Sequence, residues 1–440
     1  VSADPTVLLS AAGQELLARL AAESPHAVPD LAAATRLRRE YPAGLVAAAM
    51  AQHELRLAAR AKFSRAPEMV FTRAGYEQSS SEAIASYRAR RLAPAERIAD
   101  LCCGIGGDLA ALAVGARGRL LLAVDRDPVH ARLARHNARV YGAADGVRAC
   151  VADVRDIRVS GLDAVFIDPA RRGGGRRFRT GDSEPPLDWC FSLAGAVPAV
   201  CVKAAPGLDT SVVPAGWEVE FIADGRDLKE SVLWSPALAT APGAADDGPR
   251  RATILTPGAA GGAGAPVTLV AEPGPPVPLG EPGEFLLDPN PAVTRAGLVE
   301  DLARQVGAWK IDPQIAFLAL DREASTPFAR TLRVVESAPW NEKGFAARLR
   351  ELGVGAADLR RRGLAGDVDQ IRRRLRLHGP HRATIVLTRV NDRPWGLICA
   401  DPGSPLALLA GLAGAALQDA ADEGRLTAYL LARRCRIPRT

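Results

Sequence analysis

The spacing of hydrophobic positions changes several times along the chain, and the changes divide it. Within residues 1–75, LLSAAGQELLARLAA and GLVAAAMAQHELRLAARAKF carry apolar residues at three- and four-residue steps, the period of amphipathic helices. SSSEAIASYRARR reads as a Ser-capped helix start with Glu82 in its first turn. From about residue 97 strands and helices alternate. RIADLCC, RLLLAVD, VRACVAD, LDAVFIDP, AVPAVCVKAAPG and WEVEFIA read as strands; GDLAALAVGA and DPVHARLARHNARVYG read as helices. This alternation predicts an α/β fold with a parallel, doubly wound sheet whose ligands lie at the carboxyl ends of the strands.

PALATAPGAADDGPRR and TPGAAGGAGAPVT are rich in Gly, Ala and Pro and predict loops on either side of a short strand, ATILT. A new unit begins near residue 283, with a helix bearing Val299, Leu302 and Val306 on one face. Residues 328–400 predict a strand TLRVVES, helices KGFAARLREL and DVDQIRRRLRL, and a hairpin turning at Asn391-Asp392. The last forty residues predict an Ala/Leu-rich helix and a basic tail.

The 440 residues suggest two or three domains of a soluble globular protein. No uncharged apolar run reaches the roughly 18 residues of a membrane span. The first residues lack the basic start of a signal peptide, so the expectation is a cytoplasmic protein. The seven cysteines form no C-x-x-C pair and have no His at ligand spacing. Adjacent strand residues point to opposite faces, so Cys102 and Cys103 are read as core rather than as a metal or redox centre. The net charge of +6 favours an anionic partner, although abundant Arg, Ala, Gly and Pro also point to coding bias.

Gly104, Gly106 and Gly107 follow a predicted strand and open a predicted helix. The dinucleotide fingerprint fails because Leu109 stands where its third Gly belongs, and no Gly-Lys-Ser/Thr of a P-loop is present. What remains is Asp100, the glycine loop, Asp125 ending the next strand and Asp153 ending the third. Asp125 is placed to accept from ribose hydroxyls and Asp153 to lie beside an adenine edge. That set describes a nucleoside-bearing ligand without a phosphate clamp, which S-adenosylmethionine satisfies. In IDPARRGGGRRF, Asp168 and the carbonyl of Pro169 could accept the hydrogens of an exocyclic base nitrogen and orient it for attack.

DLCCGIGGD, AVDRDPVHARLARHNARVYG and VFIDPARRGG resemble bacterial class I S-adenosylmethionine-dependent methyltransferases with C-terminal ferredoxin-like and THUMP-like domains. The resemblance extends to RAKFSRAPEMVFTRAGYEQSSSE before the catalytic sheet, DLKESVLW after it, and LLDPNPAVTRAGLV and WKIDPQIAFL beyond. The core is also similar to trimethylguanosine synthases. The resemblance implies a Rossmann-like seven-stranded methyltransferase sheet, an N-terminal helical region and a C-terminal α+β module. The expected boundaries are 1–93 for the helical region and lid, 94–256 for the methyltransferase domain, 280–327 for a ferredoxin-like unit, 328–400 for the THUMP-like domain and 401–440 for the tail.

The implied cofactor is S-adenosyl-L-methionine, held by Asp100, Cys102, Gly104, Gly106, Asp125, Arg126, Asp153 and Val154. Asp168, Pro169 and Arg171 are the implied catalytic residues. Phe71, Thr72, Gln78, Arg172, Arg176, Arg177 and Lys203 are the implied substrate contacts, with 71–80 as the lid. Where the cap enzymes have Ser-Pro-Pro-Trp, this chain has Asp168-Pro169-Ala170-Arg171. Arg171 therefore offers a guanidinium plane for base stacking in place of a ring. The 5-methyluridine enzymes use a Cys ending the fifth strand. Here Cys201 is followed by Lys203 without a Cys-Asn-Pro order, so Cys201 is read as core.

The segment 171–179, RRGGGRRFR, sets five Arg beside the implied acceptor site, which suits a polyanion. Three readings follow: a methyltransferase acting on a base nitrogen of rRNA or tRNA, one acting on a protein or small molecule, and an RNA-binding protein that holds the donor without catalysis. Asp100, Gly104, Asp125 and Asp168 argue against the third. Neither a membrane nor a metal is an expected partner.

Overall fold

The computed structural model describes residues 4–114, 119–143, 146–171, 183–241, 243–244, 248–257, 263–364 and 366–410. Two units divide the chain, 1–272 and 273–440.

The first unit begins with helices α1 (Ala11–Glu23), α2 (Leu31–Leu37), α3 (Ala43–Ala59), α4 (Arg73–Gln78) and α5 (Glu82–Arg91). Caps set the starts of three of them: Ser10, Asp30 and Thr72 accept from the N–H groups of Gly13, Ala33 and Gly75. Ser81 stands at the N-cap of α5 but makes no capping bond. The alternation read from residue 97 then forms β1 (Arg97–Leu101), α6 (Gly107–Ala113), β2 (Leu120–Asp125), α7 (Pro128–Val140), β3 (Val147–Val151) and β4 (Ala164–Ile167). Next come β5 (Ala170–Arg171), β6 (Ser183–Glu184), α8 (Leu187–Ser192), β7 (Ala199–Ala204), β8 (Glu218–Asp224) and β9 (Asp227–Trp234).

Seven strands, in the order β3-β2-β1-β4-β7-β9-β8, make the Rossmann-like sheet, with β9 antiparallel to both neighbours. DLKESVLW is therefore an inner strand of the sheet rather than a segment after it. Three further strands extend the edge: β10 (Gly243–Ala244), β11 (Gly248–Pro257) and β12 (Ala263–Val270). Part of each stretch expected to be loop is thus strand. Their Gly, Ala and Pro give weak intrinsic preference, and ladder bonds from β8 to β11 and on to β12 override it.

The helical region shares its interior with the sheet. Leu55, Phe63 and Phe71 pack with Ile105 of the glycine loop and Leu133 of α7. On α5, Arg91 pairs with Glu218 at 2.5 Å and Tyr87 donates to Glu220 at 2.6 Å. Arg88, 1% exposed, pairs with both Asp108 and Glu230.

The second unit holds β13 (Phe285–Pro289), α9 (Pro291–Ala296), α10 (Val299–Val306), β14 (Trp309–Lys310), β15 (Leu318–Leu320), β16 (Ala329–Pro339), α11 (Glu342–Glu351), β17 (Val354–Arg361), α12 (Val368–Leu375), β18 (His381–Val390) and β19 (Arg393–Ala400). Its sheet runs β14-β15-β13-β16-β19-β18-β17, so strands from 280–327 and 328–400 share one sheet. The β18–β19 hairpin turns at Asn391 (φ 48°) and Asp392 (φ 63°), as the sequence predicts. Ile385 and Leu387 face one core and Val386 the other, the period of two that buries both faces. Among the described residues no helix is long and apolar enough to cross a membrane.

Candidate active site

The chain leaves β1 through a turn with Cys102 (φ 62°), Gly104 (φ 52°) and Gly106 (φ 80°) in the left-handed region. A Cβ on Gly106 would stand 2.6 Å from the Cα of Ala134, so α7 packs directly on the turn. A Cβ on Gly104 would meet nothing within 4 Å, so this backbone faces open space. Asp100 is 1% exposed, and neither of its oxygens has a hydrogen-bond partner among the described residues. Burial, and then the carboxylates of Asp108, Asp168 and Asp125, hold its pKa well above the ordinary value. A buried acid without a donor is costly.

Asp125 ends β2 directly opposite the turn. Its Oδ2 accepts from the N–H of Gly104 at 2.8 Å and its Oδ1 from the N–H of Asp127 at 2.9 Å. His130, in the first turn of α7, lies 3.7 Å from Oδ1. Burial opposes ionisation of Asp125, but His130 and the two backbone donors outweigh it and hold the carboxyl below its usual range. The Asp125 carboxylate in turn raises the His130 pKa. Arg126 follows, exposed.

Asp153 lies two residues beyond the end of β3, at the cap of a short turn, and is engaged: Arg155 grips it at 2.6 and 2.9 Å, which lowers its pKa to about 2. Arg155 also reaches Glu184 at 3.1 Å, tying Asp153 to the base of the β5–β6 hairpin. Val154 is buried beside it.

Asp168 follows β4, and its Oδ2 accepts from Lys203 of β7 at 2.6 Å. The structure thus makes one ion pair of residues expected to act separately. Pro169 is buried, and the next two residues form β5, whose partner is β6. The Arg171 side chain and all of Arg172, Arg176 and Arg177 lie outside the described residues. Cys201 is fully buried in β7, and burial pushes its thiol pKa up.

Two residues of the expected lid are engaged in the fold. Phe71 is 1% exposed and packs on Phe63 and Tyr76 at ring separations of 5.9 and 6.2 Å, so its ring belongs to the core and not to a substrate surface. Thr72 caps α4, and Gln78 is exposed at its end. Lys62, which motif reading passed over, donates to the carbonyls of Tyr76 at 2.7 Å and Ser79 at 3.0 Å. Burial first, and then the ammonium groups of Lys203 and Lys229, lower the Lys62 pKa. His130, Arg88 and Arg155 were also missed. His130 stands five residues after Asp125, a local signal that was available.

Residues 95–181 match the family model for RNA cap guanine-N2 methyltransferases, 329–401 one described as THUMP domain-like, and 3–59 a domain of unknown function. Two Mycobacterium tuberculosis proteins, from strains CDC 1551 and H37Rv, are each named an uncharacterized S-adenosylmethionine-dependent methyltransferase. Each is 37% identical over 330 residues, covering 73% of this chain and 85% of its relative. The crystal structure of a Porphyromonas gingivalis W83 protein described as a methyltransferase superposes with TM-score 0.69 at 21% identity, over 89% of this chain and 99% of that one.

Proposed function

Since the chain belongs to the S-adenosylmethionine-dependent methyltransferases, we propose that it methylates a base nitrogen of structured RNA, in rRNA or tRNA. S-adenosyl-L-methionine is its cofactor and supplies an electrophilic methyl group. The residues present fit that donor. Asp100 offers an unpartnered carboxylate to the cationic methionyl end. Gly104 lets the ligand approach the backbone, and Cys102 and Gly106 shape the turn. Asp125 keeps lone pairs for the ribose hydroxyls beyond its two backbone bonds, with Arg126 alongside. Asp153 and Val154 flank the adenine, and Arg155 holds the Asp153 carboxylate in place.

The observation that carries the reading is the acceptor side. Asp168 is pinned by Lys203, and a hairpin starts two residues later whose connection contains the arginines of RRGGGRRFR. The exocyclic amine of a base is a poor nucleophile because its lone pair is delocalised. Asp168 and the carbonyl of Pro169 accept its hydrogens and orient the nitrogen, so placement supplies the rate. Arg171 stacks on the base, and Arg172, Arg176 and Arg177 meet phosphates. The matches to RNA cap methyltransferase and THUMP-like models support an RNA acceptor.

The test is transfer of labelled methyl from S-adenosylmethionine to total RNA and, separately, to protein and small-molecule fractions of a strain lacking the gene. Digestion of the RNA to nucleosides and mass spectrometry then identifies the modified base. Label in RNA supports the reading. Label confined to the other fractions overturns it in favour of a protein or small-molecule acceptor. In the double variant R176A/R177A the salt dependence of RNA affinity should flatten by roughly one unit of slope per lost phosphate contact.

A further inference from the structure

Residues 69–72 run between a turn and α4 without a strand partner among the described residues. Buried backbone polar groups need partners from somewhere, and here side chains of α3 and α7 supply them. Arg56 donates to the carbonyl of Met69 at 2.8 Å and to that of Glu68 at 3.2 Å. Gln52 accepts from the N–H of Phe71 at 3.1 Å. Asn137, fully buried, accepts from the N–H of Val70 and donates to its carbonyl, both at 2.9 Å.

Asn137 makes one more bond, and it leaves the segment. Its Nδ2 donates at 2.7 Å to the carbonyl of Ile105, the residue between Gly104 and Gly106. The segment meets the same residue a second time. A Cβ on Gly75 of α4 would stand 2.3 Å from Cγ2 of Ile105, which is itself 2% exposed.

We propose that Asn137 is a positioning residue of the donor site and that residues 69–75 are a fixed buttress of the glycine turn rather than a moving lid. The side chain of Asn137 bonds backbone groups and acts through them. It fixes the orientation of the Ile105–Gly106 peptide, and with it the left-handed turn that runs through Gly104 and Gly106. Through the Gly104 N–H it also sets the distance between that turn and the ribose acid Asp125. The alternative is that Asn137 satisfies buried backbone and does nothing specific for the donor, which is all the geometry assigns to Gln52. Gln52 reaches the same segment but makes no bond to the turn.

Three variants of the full chain separate the two roles: N137L, which is close to isosteric, G75A and Q52L. Binding of S-adenosylhomocysteine is followed by calorimetry well below each melting temperature, so the readout needs no RNA and stands apart from the acceptor assignment. N137L should weaken binding about tenfold, the value of one hydrogen bond's worth of positioning. G75A should weaken it by a similar factor, because the new methyl displaces Ile105 from the other side. Q52L should lower the melting temperature and leave the dissociation constant within twofold of wild type. If N137L does not fold, G75A decides alone. Binding within twofold of wild type in folded N137L or in G75A would overturn the proposal. Loss in Q52L as large as in N137L would overturn it too, because the effect would then be general loosening.

Discussion

Asp100 makes the sharpest quantitative prediction, because it is buried and unpartnered. In D100N the shape of the side chain is kept and the charge removed. Consider the free protein first. The folded-state pKa of Asp100 is raised, so the folded protein holds this proton more tightly than the unfolded chain. Stability from this group is fully present below the ordinary carboxylate range and is lost as pH rises towards the raised value. The slope is about 1.4 kcal/mol per pH unit over that window. The Asn variant has no such slope. It should match wild type near pH 4 and be more stable near pH 8, by about 1.4 kcal/mol for each pH unit between the ordinary carboxylate value and the raised one. At about 2–4 °C per kcal/mol for a unit of this size, the melting temperature should rise by several degrees. The ligand should reverse the order. A charge-assisted contact to the cationic end of the donor contributes about 1.5–3 kcal/mol, so D100N should bind S-adenosylhomocysteine roughly 10- to 150-fold more weakly. The assay is thermal unfolding of both proteins from pH 4 to 8, with and without S-adenosylhomocysteine. A variant no more stable than wild type at pH 8 would show that Asp100 is solvated or paired, and unchanged ligand stabilisation would remove it from the donor site.

Three further outcomes follow from the same geometry. D125A should weaken donor binding by about 1–3 kcal/mol in calorimetry, since two ribose hydroxyls lose a charged acceptor; because His130 and backbone donors hold its carboxyl low, the wild-type contact should persist through mildly acidic pH and fade only below the usual carboxylate range. D168A should reduce single-turnover methylation far more than RNA affinity, and the reverse pattern would show that Asp168 binds rather than orients. R88M should cost about 3–5 kcal/mol in denaturant unfolding, because it strands Glu230 and Asp108 beside an apolar side chain; a loss below about 1 kcal/mol would mean that the cluster is wet.

The sequence determined this protein wherever the signal is local. Strand-helix alternation from residue 97, three glycines in a turn, and aspartates at the ends of successive strands are each written within a few neighbouring residues. The α/β sheet, parallel from β3 to β7, and the choice of candidate donor acids follow from them. The hairpin at Asn391-Asp392 is legible for the same reason, because its left-handed turn requires those residue types. Tertiary structure decided what depends on partners far away in the chain. Gly/Ala/Pro-rich segments became β10–β12 because β8 and β11 offered them ladder bonds. Phe71 went to the core, which forms only when α3, α7 and the glycine turn meet. Lys203 found Asp168 across 35 residues, and Asn137 joined Val70 to Ile105 across 67 and 32. Such bonds leave no period and no motif in the sequence: a buried Asn or Arg is placed by backbone groups that need partners, and which groups those are is settled only when the elements pack.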